Sequence, residues 1–142
     1  MPALTVQEVK ERIAALDSMS ALKREDFCEE NGLADSLAQR FGKEELKAVQ
    51  LRKVFQELKA IQREVERGIK TEEDRQRSFD RTRVVGLMPI LAYTSGRGLI
   101  PKDFYEILRD CLSAQKLKTN EDFLRLVEFV EAILAYHKFR HP

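Results

Sequence analysis

Apolar residues recur along this chain at three- and four-residue intervals, and no segment shows the Val-, Ile- and Thr-rich alternation of a strand, so the pattern predicts an all-α fold. The expected architecture is a single compact helical bundle of about five to six helices. Thr5 with Glu8 has capping-box spacing, and Val6, Val9, Ile13 and Leu16 follow as one face of a first helix. A short second element follows Ser20 and stops before Gly32. Leu33, Leu37 and Phe41 then mark a brief third helix closed by Gly42. The longest periodic stretch runs from Lys43 to Arg67, with Leu51, Val54, Phe55, Leu58, Ile61 and Val65 on one face over about 37 Å.

A further helix is predicted from Thr71 to Tyr93. It opens with acidic residues that suit the helix dipole, is nearly all apolar from Val84 onward, and is kinked or restarted at Pro89. Residues 66–74 are the best place for a flexible connection ahead of it. Gly96-Arg97-Gly98 reads as a tight turn, and Pro101 as the first residue of a helix whose Phe104, Ile107, Leu108 and Cys111 face inward. Thr119 with Asp122 starts the last helix. There Phe123, Leu126, Val127, Val130, Ile133, Leu134 and His137 share a face while Leu124, Phe129 and Tyr136 lie elsewhere on the cylinder, which predicts a central helix or one at a protein interface.

Charge adds one asymmetry. Charged residues make up 35% of the chain, against about a quarter in an average globular protein, yet 25 Lys and Arg nearly cancel 24 Asp and Glu. Residues 1–39 hold four basic and eight acidic side chains, residues 40–118 hold eighteen and twelve, and residues 119–142 hold three and four. A basic middle between acidic ends fits a site for a polyanion, and fits equally the solvated faces of ordinary surface helices. The two cysteines, Cys28 and Cys111, sit far apart among apolar neighbours and are expected as buried free thiols. No signal segment or long apolar run is visible, so a soluble, cytoplasmic protein without membrane contact is expected.

Residues for catalysis are scarce, and the chain is expected to be a non-enzyme with no cofactor and no metal. His137 falls on the apolar face of the last helix and is expected as a satisfied core histidine; His141 is expected on a frayed tail. The adjacent pairs Glu29-Glu30 and Glu72-Glu73 point in different directions on a helix and do not suit acid-base work. The long helix is more informative. Arg52, Gln56, Lys59 and Arg63 fall along one flank at 100° per residue and form a ridge able to meet successive phosphates, or else a solvated face with Glu57 and Glu66 as partners. Arg75, Arg77, Arg81 and Arg83 form a second cluster. Arg97 stands on a glycine-flanked turn, four residues after a Tyr93 that either joins the core or stacks on a base.

Three segments in order, Gln50-Leu51-Arg52-Lys53-Val54-Phe55 with Leu58, then Tyr93-Thr94-Ser95-Gly96-Arg97, then Phe129 through Glu131-Ala132-Ile133 to Tyr136, resemble the Csm small-subunit family of type III-A CRISPR-Cas effector complexes. The resemblance spans residues 43–138 and leaves 1–42 as acidic N-terminal helices of the same domain. It implies a non-catalytic helical subunit, self-associating in several copies with other Csm subunits beside a guide RNA and its target RNA, in antiviral defence. By position it implies RNA contact through Gln50, Arg52, Lys53 and Arg97; Lys59 and Arg63 join them from the ridge. Where the family carries small hydroxyl residues this chain has Lys47, Ala48 and Val49, so Lys47 is expected to offer a phosphate contact instead. The competing readings are the small subunit of a type III-B (Cmr) complex, a dimeric helical regulator of duplex DNA, and an interaction module whose ridge is only solvated surface.

Overall fold

The fold is organised around its last helix. In the computed structural model, which describes residues 2–142, the chain forms α1 (Val6–Ala14), a 3-10 turn (Met19–Ala21), α2 (Arg24–Cys28), α3 (Leu33–Arg40), α4 (Ala48–Arg67), α5 (Glu72–Arg75), α6 (Thr82–Gly96), α7 (Lys102–Cys111) and α8 (Asn120–Arg140). Six of these helices have eight residues or more, and no strand is present among the described residues beyond one isolated bridge between Ser78 and Thr119. The all-α bundle predicted by the periodicity is the fold observed.

Phe123, Leu124, Leu126, Val127, Phe129, Val130, Ile133 and His137 are all buried, so α8 is removed from water around most of its circumference. Helices α2, α3, α4 and α5 and the 3-10 turn all pack against it, while α7 bridges α1 and α6. Aromatic pairs fix the joints. Phe27 of α2 meets Phe129 edge-on at 5.6 Å, Phe79 stacks on Phe123 at 4.6 Å, and Phe41 meets Phe104 at 5.9 Å. Each such pair adds about 0.5–1.5 kcal/mol beyond the area it buries.

The caps at Thr5/Glu8 and Thr119/Asp122 form as reciprocal boxes, and Thr71/Asp74 forms a third. Asp122 also accepts the Ser20 amide at 2.8 Å, tying the 3-10 turn to the start of α8. Burial pushes its carboxyl up, but the Ser20, Thr119 and Lys118 donors outweigh this and hold it below the ordinary carboxylate value.

Several expectations are corrected. The long helix starts at Ala48, not Lys43, because a turn returning to the Gly42 carbonyl drives Leu46 fully into the core. The helix expected over 71–93 is two helices. Between them the chain runs extended past Lys118–Asn120, so that Phe79 reaches Phe123, and Asp80 then accepts the Thr82 amide and hydroxyl where α6 begins. Helix α6 runs through Pro89 without ending there, and Pro101 caps α7 rather than starting it. Cys111 is buried with its thiol pushed up by desolvation, but Cys28 is exposed at the end of α2. His137 is buried with Nε2 unpartnered, and burial holds its imidazole below the ordinary value. His141 is docked rather than frayed, its Nε2 lying 2.9 Å from the Ala38 carbonyl.

The C-terminus is fastened by charge. Arg140 forks the fully buried Asp35, Nε to Oδ1 at 2.8 Å and a terminal nitrogen to Oδ2 at 2.6 Å. Burial pushes the Asp35 carboxyl up, and the Arg140, Asn31 and Gln39 donors more than offset it, so it lies below the usual range. A depressed carboxylate stabilises the fold fully above its unfolded value and loses that contribution as pH falls through the folded value. Asp35→Asn is expected to cost about 3 kcal/mol at neutral pH. The deficit should shrink in acid, where the wild type loses the same pair. Urea unfolding at both pH values checks this, and equal stability at neutral pH would contradict it.

Candidate functional site

Helix α4 holds most of the predicted site residues, because its apolar stripe is narrow. Leu51, Leu58 and Ile61 are buried against the core, while Val54, Phe55 and Val65 are only partly covered. Two flanks are left to water. At 100° per residue, Arg52, Lys59 and Arg63 lie on one flank and Gln50 and Lys53 on the other. Among the described residues no carboxylate lies in ion-pair range of Arg52, Lys53, Lys59 or Arg63. Lys59 extends along its own helix to place Nζ 5.9 Å from the Phe55 ring centre. Lys47, just ahead of the helix, instead pairs with Glu44 at 3.2 Å.

The second flank faces a groove of about 570 Å³ between α4 and the α6–α7 pair. Leu58 of α4, Leu87 and Leu91 of α6, and Leu108 of α7 line it, and Gln50, Lys53, Tyr93 and Arg97 stand around it. The structure therefore brings Gln50, Lys53 and Arg97 to one place and sets Arg52, Lys59 and Arg63 apart. Gln56, expected on the ridge with Arg52, lines the groove as well.

Arg97 owes its position to the turn that follows α6. The Gly98 amide donates to the Ser95 carbonyl at 2.9 Å and the Leu99 amide to Thr94 at 3.1 Å, the paired bonds of a helix end closed by a left-handed residue. Gly98 is that residue, with φ of 74°. The turn leaves Arg97 exposed, its guanidinium 5.8 Å from the Tyr93 ring centre. Tyr93 is 65% exposed and so does not belong to the core.

The second arginine cluster is dispersed into structural work. Arg75 pairs with Glu121 at 3.0 Å, Arg77 with Asp74 at 2.9 Å, and Arg83 with Glu64 across to α4. Arg81 gives two nitrogens to the Leu112 carbonyl at the end of α7, at 3.1 and 2.9 Å. Sequence reasoning missed the groove itself. The available signal was the run Val84–Gly96, thirteen residues without a charge in a chain that is 35% charged. Within that run Val85, Ile90 and Tyr93 are exposed. Among the described residues no group of three or more His, Cys, Asp or Glu is placed to hold a metal ion, and no helix is long and apolar enough to cross a membrane.

A family model described as Csm2 Type III-A matches residues 24–142, a longer span than the three segments singled out in the sequence. No curated protein and no solved structure matches the chain.

The turn that presents Arg97 favours glycine, because its residue 98 is left-handed. Gly98→Ala has room for its methyl group but must hold a left-handed conformation, at a cost of about 1 kcal/mol. A fall in Tm of about 3 °C is expected for a chain of this size. An unchanged Tm in a thermal scan would show that the turn tolerates a side chain.

Proposed function

The chain belongs to the Csm2 type III-A family, and from that membership we propose that it is the RNA-facing, non-catalytic small subunit of a Csm effector complex. It stacks in several copies beside the guide RNA and its paired target RNA, with other Csm subunits, and acts in antiviral defence. The match across residues 24–142 is the observation that carries this reading.

Charge geometry supports it. Arg52, Lys53, Lys59, Arg63 and Arg97 have no carboxylate in ion-pair range among the described residues, whereas Arg75, Arg77 and Arg83 are paired within the fold. Unpaired guanidinium and ammonium groups on a rigid helix suit phosphate oxygens, and phosphates carry no base identity, so contact of this kind is indifferent to sequence. One protomer with about four such contacts binds weakly, and linked copies multiply the effect by roughly a hundredfold or more. The duplex-DNA regulator gains nothing from the structure. The short pair α2–α3 buries every residue from Leu33 to Ala38 and so has no second helix to lay into a major groove.

Fluorescence anisotropy with single-stranded RNA across a salt series tests the reading. A log-log slope of about −3 is expected for four phosphate contacts on a single strand. The double variant Arg52→Ala, Arg97→Ala should roughly halve that slope, since each lost contact removes about 0.7. A preference for one duplex DNA sequence, or an unchanged slope in the variant, would count against it.

A further inference from the structure

The groove between α4 and α6 remains over once backbone contacts are assigned, because a phosphate needs cations and not an apolar floor. Resting on the reading of the chain as an RNA-facing subunit, we propose that this groove takes one unpaired nucleotide of the bound RNA. The base lies against the Tyr93 ring and the aliphatic floor, and the phosphate lies between Lys53 and Arg97.

Four observations converge on that occupant. The volume of about 570 Å³ falls in the range of pockets that enclose small ligands. The floor, with Leu58, Leu87 and Leu91, is flat-ring territory without charge. Tyr93 is 65% exposed, so its ring is open to an outside partner, and its hydroxyl has no protein partner among the described residues. Arg97 is held 5.8 Å from that ring, as guanidinium groups stand beside a stacked base.

The polar groups around the groove suit any base. Gln50 both donates and accepts, Glu57 only accepts, and Thr94 spends its hydroxyl proton on the Ile90 carbonyl at 2.8 Å, leaving its oxygen as an acceptor. A mixed set of this kind satisfies the edge of any base without selecting one, in keeping with contact that is indifferent to sequence. Cations on both walls favour an anionic occupant over a second copy of this chain. Lys53 projects from α4 and Arg97 from the cap of α6, with Glu57 the one acid among the lining residues.

The test compares single-stranded RNA with an abasic strand of the same length, by anisotropy over a salt series, using the full chain, Tyr93→Ala and Tyr93→Phe. The abasic strand is expected to bind the wild type about five- to a hundredfold more weakly, the contribution of one stacked base. Tyr93→Ala should erase that difference while leaving the salt slope unchanged, and Tyr93→Phe should retain it. Because Tyr93 is exposed, neither variant threatens the core. Equal binding of both strands by the wild type overturns the groove assignment and leaves the RNA-facing subunit standing. Binding of neither strand overturns both. A Tyr93→Ala variant that changes the association state and not the preference for bases gives the groove to a neighbouring copy and likewise overturns the proposal.

Discussion

Phe123, Leu126, Phe129, Val130 and Ile133 take α8 out of water on so many sides that the other helices find their places by covering it. Once α2, α3 and α4 are laid against α8, only the narrow stripe of Leu51, Leu58 and Ile61 is needed to hold α4 down. Two wide flanks of α4 then stay in solvent. The cations on those flanks are therefore available because the core is centred elsewhere. A core built around α4 would have left room for few of them.

Helix α6 is the counterpart. It is as apolar as α8 over much of its length but touches chiefly α7, and its outer residues Val85, Ile90 and Tyr93 find no cover within the chain. Its two ends are nonetheless firmly set. Arg83 reaches Glu64 of α4, Arg81 holds the Leu112 carbonyl at the end of α7, and the Gly98 turn closes the other end. The result is a fixed wall facing α4 across a gap, with cations at the rim. An exposed apolar surface of this kind marks an interaction site, which is where the proposed nucleotide is seated.

The helices and their caps were legible because they rest on local chemistry. Thr5/Glu8 and Thr119/Asp122 are reciprocal hydrogen bonds within four residues, and the inward face of α7 follows from one period. What escaped depends on distant partners. Nothing local shows that Phe79 must leave a helix to stack on Phe123, that Arg75 will be claimed by Glu121, or that Lys116 is buried with its ammonium 3.6 Å from Asp110. The site was half legible. The motif positions Gln50, Lys53 and Arg97 do converge on one groove. Their separation from Arg52, Lys59 and Arg63 follows from helix geometry, but recognising the groove needed the position of α6. Composition alone does not place it, since an uncharged run can line a core or an open groove.

Mapping ultraviolet crosslinks between this chain and RNA in the assembled effector complex tests the central claim most directly. Crosslinked peptides concentrated in α4 and in the Tyr93–Arg97 turn are the predicted result. Crosslinks concentrated instead in the acidic segment of residues 2–39, or none to this chain at all, would contradict the account.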